Sequence, residues 1–392
     1  MNVLHKSLSM ISLLSFTFLS IQCKNEPKKE VEAMAPKENL VSITKEAFGT
    51  TTDSIDVDKY TLKNQKGMEI SIITYGGIIT SWTAPDKKNK YQDIVLGFNN
   101  LPDYQKATTF FGALIGRFGN RIANGKFSLD GTQYTLATND GKNHLHGGVK
   151  GFDKVVWTAA EVSTDSTASL VLTYLSKDME EGYPGNLQTK VTYTLTNENA
   201  LEVDYEATTD KKTIVNLTQH SYFNLSADFS KPILDHEITI NADKFVPVDA
   251  TLIPTGALKD VANTPFDFRT PKTMGKEIAT ENEQLKKGMG YDHCWVLNNQ
   301  NEGVRLAATA YEKESGRLLE VFSDEPGIQL YSGNFLDGTL PSKTGGTYAH
   351  RTGFCLETEH YPDAPNQKDF PSVVLNPGEK YESKTVFKLS VK

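Results

Sequence analysis

The sequence predicts an all-β protein, a sandwich or barrel of many short strands with only a few short helices. Three observations carry this. Short runs rich in β-branched and aromatic residues recur along the chain, many of them alternating apolar with polar side chains, and turn-forming residues close them. Helical periodicity is scarce. No glycine-rich segment follows a strand and opens a helix, so the phosphate-binding turns of nucleotide-dependent α/β proteins are missing from the sequence.

Taken in order, strands are expected at 55–62, 69–73, 78–83 and 93–96, broken by Gly76-Gly77 and by the polar turn 86–90. Further strands of the same character follow at 169–175, 189–195, 201–207, 213–217, 236–240, 305–311, 317–322 and 384–389. Short superficial helices are expected at 102–106 and within the polar stretch 272–287. The hydrophobic content of 38%, with 10% aromatics, suffices for a sizeable core. A net charge of −8 provides no basic footprint for nucleic acid.

The front of the chain differs in kind. Residues 1–22 read as an export signal: Lys6 charges the leading end, and the apolar run from Leu8 to Ile21 is too short to span a bilayer. The segment Leu19-Ser20-Ile21-Gln22-Cys23 is lipobox-like, which makes Cys23 the expected lipidation site, although Gln22 stands where a small residue is usual. Residues 23–45 are rich in Lys, Glu and Pro and read as a flexible charged tether, leaving 46–392 as the folded domain. The expected location is therefore outside the cytoplasm, periplasmic or held at a membrane by the lipid alone. Cys294 and Cys355 are expected to be buried free thiols, with a disulfide as the alternative.

Polar residues that bear chemistry fall in a few clusters. Within Asn216–Leu225, His220 stands among Gln219, Ser221 and Tyr222, whose hydrogen-bonding groups can fix an imidazole tautomer. Gly116–Gly125 carries Asn120 and two arginines, of which Arg121 offers forked donors to hydroxyls or a carboxylate. In Asn143-His-Leu-His-Gly-Gly, the glycines after His146 permit close approach of a ligand to the backbone. His144 and His146 share a face if that segment is extended, which raises a metal reading with Glu357. Asp292 precedes Trp295, either a ring platform or core, and Gln329 and Tyr331 share a strand face. Glu357 follows an apolar run, and Glu359 lies two residues on. An enclosed carboxylate and an oriented imidazole make an acid–base pair.

Together these segments, in this order and spanning nearly the whole domain, resemble the galactose mutarotase (aldose 1-epimerase) family. The resemblance implies its large antiparallel β-sandwich, the galactose mutarotase-like supersandwich, and α/β anomer interconversion of galactose- or glucose-type aldoses. It implies that His220 protonates the ring oxygen and that Glu357 takes the proton of the anomeric hydroxyl. It gives substrate-holding roles to Asn120, Arg121, His146, Tyr222, Asp292 and Gln329, with a monosaccharide as partner and no cofactor or resident metal. The reacting pair is then expected to face each other across the hexose. Gly119, Gln219, Glu359 and His360 depart from the pattern. The alternatives are a non-catalytic carbohydrate-binding lipoprotein, a metal-dependent β-barrel enzyme built on His144, His146 and Glu357, and a glycosidase or lyase sharing the sandwich. Oligomeric state and the preferred aldose stay open.

Overall fold

In the strand Leu187–Thr196 every second side chain, from Leu187 through Val191 and Tyr193 to Leu195, is buried while Gln188, Lys190 and their neighbours turn outward. This period of two is what a half-buried strand requires. The strand runs antiparallel to Ala200–Thr209 through a short turn in which Asn199 adopts φ of 57°. The structure is a computed structural model that describes residues 40–392. The export signal, Cys23 and the tether as far as residue 39 lie outside the described residues.

That hairpin belongs to a nine-stranded antiparallel sheet. Its spatial order is Thr158–Ser163, Thr167–Ser176, Leu187–Thr196, Ala200–Thr209, Tyr381–Val391, Arg317–Ser323, Arg305–Tyr311, Glu237–Ile240 and Lys272–Thr273. A five-stranded meander precedes it in sequence: Ser42–Thr50, Asp56–Lys63, Glu69–Ile73, Ile79–Pro85 and Tyr91–Asp93. Leu62, Ile70, Ile72 and Trp82 of the meander share one core with Leu170, Leu172, Val191 and Leu195 of the large sheet. Trp82 meets Phe223 and Phe387 edge-on at 5.7 and 5.9 Å. The all-β expectation holds.

Several boundaries move. Residues 42–45, assigned to the tether, are paired from Ser42↔Lys63 to Lys45↔Tyr60, and Ile43 packs against the core, so order begins earlier than the charged composition suggests. The expected strand 93–96 is regular only to Asp93, beyond which Val95 makes a lone bridge to Phe223. The expected strand 213–217 is split into Thr213–Ile214 and Thr218–His220, because the chain changes partner at Asn216. Of 272–287 only Glu283–Gly288 is α-helical, capped by the Asn282 side chain, whereas Lys272–Thr273 is recruited as a strand by Glu237–Ile238. The expected helix 102–106 forms as Leu101–Lys106, with Asn100 as its cap.

A third sheet positions the chemistry. It runs Lys259–Asp260, Ala242–Val246, Asp292–Leu297, Gly327–Tyr331, Cys355–Glu359. Across its last three strands the register opposes Asp292, Tyr331 and Cys355 in one row and Cys294, Gln329 and Glu357 in the next. Directly opposed residues share a face, so these six side chains rise on the same side. The other face carries Trp295, fully buried among Phe266, Phe268 and Tyr291, with its indole N–H donating to the Phe266 carbonyl at 3.0 Å. Trp295 is core, not a sugar platform. Cys294 and Cys355 are buried free thiols.

Candidate active site

A cavity of about 220 Å³ opens above that face, below the range of about 300–1,000 Å³ usual for drug-sized ligands and suited to a small polar molecule. Asn120, Arg121, His146, His220, Tyr222, Asp292, Gln329 and Glu357 all line it. Eight residues spread over more than half the chain are thus brought together.

Each is held by a different local device. The strand Thr218–His220 pairs with Ala113–Ile115, placing His220 opposite Ala113, and Tyr222 stacks on the imidazole at 5.1 Å between centroids. Arg121–Ile122 pairs with His144–Leu145, and the residues flanking that short ladder, Asn120 and His146, both adopt left-handed backbone (φ of 65° and 51°). They brace each other: the His146 N–H donates to the Asn120 carbonyl, and the Asn120 N–H donates to His146 Nδ1, both at 3.1 Å. Gly147 follows at φ of 86°, where any side chain would run into the Gly116 carbonyl. On the sheet wall Gln329 Nε2 donates to Asp292 Oδ1 at 2.7 Å, and Arg121 approaches Asp292 Oδ2 at 3.8 Å while its Nε donates to Asp140 at 2.8 Å.

His220 Nε2 stands 3.5 Å from Glu357 Oε2. The expectation that the pair face each other across a hexose is not met in this form. They stand side by side, too close for a ring to pass between. The arrangement suits two oxygens bonded to one carbon, as the anomeric hydroxyl and the ring oxygen are. His220 Nδ1 lies 3.5 Å from Cys355 Sγ, so the ring presents its Nε2 edge to Glu357.

Burial sets the electrostatics. It pushes Glu357 well above the usual carboxylate range, with the Asp292 charge adding to this and Arg121 opposing it. Burial also pushes His220 down to about 4. Both directions favour one shared proton resting on the carboxyl. An ion pair at this distance gains roughly 5 kcal/mol at an effective dielectric near 20. Desolvating two ions costs several kcal/mol each, so the neutral pair wins until hydrogen-bonding partners arrive. A hydroxyl donating to Glu357 and an ether oxygen accepting from His220 are such partners, and the proton count of the pair is the same in both forms.

His144 is not part of the site. Its Nδ1 bonds the Ala137 carbonyl at 2.7 Å and its Nε2 meets the Tyr183 hydroxyl at 2.6 Å, because the left-handed turn at His146 sends the two rings different ways. A metal set of His144, His146 and Glu357 therefore does not assemble. His146, His220 and Glu357 do offer ligand atoms within 4.8 Å of one another. The donor chemistry is nevertheless wrong. Since His146 Nδ1 accepts from a backbone N–H, the neutral ring carries its proton on Nε2, the nitrogen that a cation would need bare. That proton is instead available to a hydroxyl. Arg117, the other arginine of its cluster, is also structural, donating to the carbonyls of Pro184, Gly185 and Ser176.

Sequence reasoning missed the rim. Phe110, at φ of 58°, sets its ring 4.7 Å from that of His146, and Phe335 is 52% exposed at the opening beside Leu336. Phe110-Phe111 offered one signal: of two adjacent aromatics, Phe111 is buried in the core while Phe110 packs against it only in part and leaves surface for the opening. Of the departing residues, Gln219 is a scaffold, its amide donating to the Gly112 carbonyl at 2.9 Å and accepting from Ser221 N–H at 2.9 Å.

Comparison with known proteins shows the family of the chain. A family model described as aldose 1-epimerase matches residues 58–388. Galactose mutarotase of Bos taurus is 46% identical over 353 residues, covering 90% of this chain and 100% of that protein. Aldose 1-epimerase of Escherichia coli (strain K12) is 38% identical over 329 residues, covering 83% and 93% respectively. The crystal structure of a galactose 1-epimerase from Lactobacillus acidophilus NCFM matches with a TM-score of 0.79 at 30% identity, over 90% of this chain and 99% of that one.

Proposed function

The chain belongs to the aldose 1-epimerase family, and on that premise we propose that its cavity interconverts the α and β anomers of a galactose- or glucose-type aldose, with Glu357 and His220 as the proton-transfer pair. The observation that carries this reading is the 3.5 Å approach of His220 Nε2 to Glu357 Oε2 on one cavity wall.

The step balances with these two residues. The Glu357 carboxylate takes the proton of O1, C1=O1 forms as the C1–O5 bond breaks, and O5 receives the proton of His220 Nε2. Rotation about C1–C2 turns the other aldehyde face toward O5. His220 then takes the O5 proton back as O5 attacks C1, and Glu357 returns its proton to O1. Each residue acts as acid in one direction and base in the other, which suits a nearly isoenergetic reaction. The remaining polar groups hold the ring. His146 Nε2–H and the Arg121 guanidinium donate to hydroxyls, Asp292 accepts, and Gln329 does both.

Polarimetry on freshly dissolved α-galactose and α-glucose tests this: the protein should speed the drift to equilibrium. A non-catalytic carbohydrate binder would leave the spontaneous rate unchanged and would end the proposal. We further propose that residues 1–22 direct export and that Cys23 carries a lipid, a reading supported by the sequence of this segment alone. Fatty-acid labelling of the wild type and of Cys23→Ser in a bacterial host tests it, and equal labelling of the two would rule Cys23 out.

A further inference from the structure

Glu359 is a carboxylate beside the site that the reaction does not use. It lies two residues beyond Glu357 on the same face of the strand Cys355–Glu359 and has no exposed surface. Its Oε1 accepts from Asn120 Nδ2 at 2.8 Å, while its buried Oε2 finds no partner among the described residues. No lysine or arginine pairs with it among the described residues. Glu357 faces it on its own strand, and Asp292 and Cys294 do so from the Asp292–Leu297 strand, one strand further across the sheet. Glu325, ahead of Gly327–Tyr331, is already paired with His360 at 2.6 Å. The nearby guanidinium of Arg121 is engaged by Asp140 and Asp292.

The Asn120 amide is the hinge of the arrangement. One N–H goes to Glu359, the Oδ1 accepts from the Arg121 N–H at 2.9 Å, and the Asn120 backbone N–H reaches His146 Nδ1. Fixing Asn120 therefore fixes the tautomer of His146 and leaves the second amide hydrogen for the cavity. An ionised carboxylate here would be a buried charge with one neutral donor and three acids around it, the costliest environment available to it. A neutral acid makes the same bond to Asn120 without that cost.

Resting on the epimerase reading, we propose that Glu359 is a positioning residue. As a neutral acid it anchors the Asn120 amide, and through Asn120 it holds His146 in the Nε2–H form while leaving the negative charge of the strand to Glu357. Burial and the neighbouring acids also hold its proton affinity above the ordinary carboxylate range.

The test compares Glu359→Gln with Glu359→Leu. Glutamine keeps a carbonyl acceptor for Asn120 and carries no charge, so kcat/KM should stay within about threefold of wild type and its pH profile should not move. Leucine removes the acceptor, and KM should rise about tenfold or more with a smaller change in kcat. A shift of the acidic limb by more than about half a pH unit in Glu359→Gln would show that the carboxylate is charged. Wild-type KM in folded Glu359→Leu would refute the anchoring. Two readouts need no activity and stand even if Glu359→Leu does not fold. Infrared difference spectra of wild type minus Glu359→Gln at pH 7 should contain a protonated-carboxyl stretch. Ring ¹⁵N shifts should report the Nε2–H tautomer of His146 in wild type. Absence of the stretch, or the Nδ1–H tautomer, overturns the proposal, whereas loss of all mutarotation in wild type would instead overturn the epimerase reading.

Discussion

Glu357→Gln is the most informative single change. The amide matches the carboxylate in volume, and the site it enters is already neutral in balance, so the fold should tolerate it. It removes the carboxylate that stands 3.5 Å from His220 Nε2 and leaves an amide that cannot act as a base. A positioned base is worth about 10²–10⁴ in rate, or roughly 3–5.5 kcal/mol of barrier. The same change also removes the anion that would support an imidazolium on His220, an attraction of roughly 5 kcal/mol before desolvation is counted. Both halves of the proton transfer are weakened, which places the expected loss of kcat in the upper part of that range, about 10³–10⁴. KM should change by less than about threefold, since an amide still hydrogen-bonds O1. The assay is polarimetry of freshly dissolved α-galactose with the spontaneous drift subtracted, alongside circular dichroism and a urea melt. A folded Glu357→Gln protein whose kcat stays within about tenfold of wild type would refute the assignment of Glu357 as the base.

Other outcomes follow from the same geometry. The kcat/KM profile should be bell-shaped, because the pair works only with one proton: below about pH 4 His220 gains a second, and at alkaline pH the raised Glu357 loses the only one. An acidic limb near 6.5, that of an unperturbed imidazole, would contradict the burial argument. Asp292→Asn should raise KM about tenfold to a hundredfold with kcat little changed, because charge-assisted bonds to sugar hydroxyls and Arg121 are lost. Initial rates across sugar concentration check this, and an unchanged KM would remove Asp292 from ring binding. Gly147→Ala should lose roughly 2 kcal/mol or more of stability and displace His146, since its methyl group would meet the Gly116 carbonyl at a backbone angle that alanine avoids. Wild-type urea midpoint and activity would contradict the strain.

Much of this molecule can be read from the chain. Alternation marked most of the main strands, and Glu69–Ile73 and Arg305–Tyr311 fell where the pattern placed them. Irregular backbone was harder. Lys272–Thr273 pairs only because Glu237–Ile240 needs an edge partner, which no local propensity encodes. The eight residues that line the cavity were identifiable because each sits in a segment whose composition suits a polar cleft, and the resemblance of the whole set is what implied their roles. The metal alternative built on His144 falls for a conformational reason: face-sharing at i and i+2 requires extended backbone, and His146 does not have it. Phe110 and Phe335 were passed over since an aromatic in a loop looks like any other until the opening it borders exists.

The rows that oppose Asp292, Tyr331 and Cys355, and Cys294, Gln329 and Glu357, tie these positions to one hydrogen-bond ladder. A slip by one residue would send every one of those side chains to the opposite face at once, so this part of the protein has no graded alternatives to explore. Novelty has to come from elsewhere. The border formed by Thr108–Phe110 and by Phe335 and Leu336 hangs on connecting segments that can lengthen, shorten or change chemistry without disturbing the ladder. Attempts to broaden the sugars this protein accepts should therefore mutate that border and spare the strands beneath it.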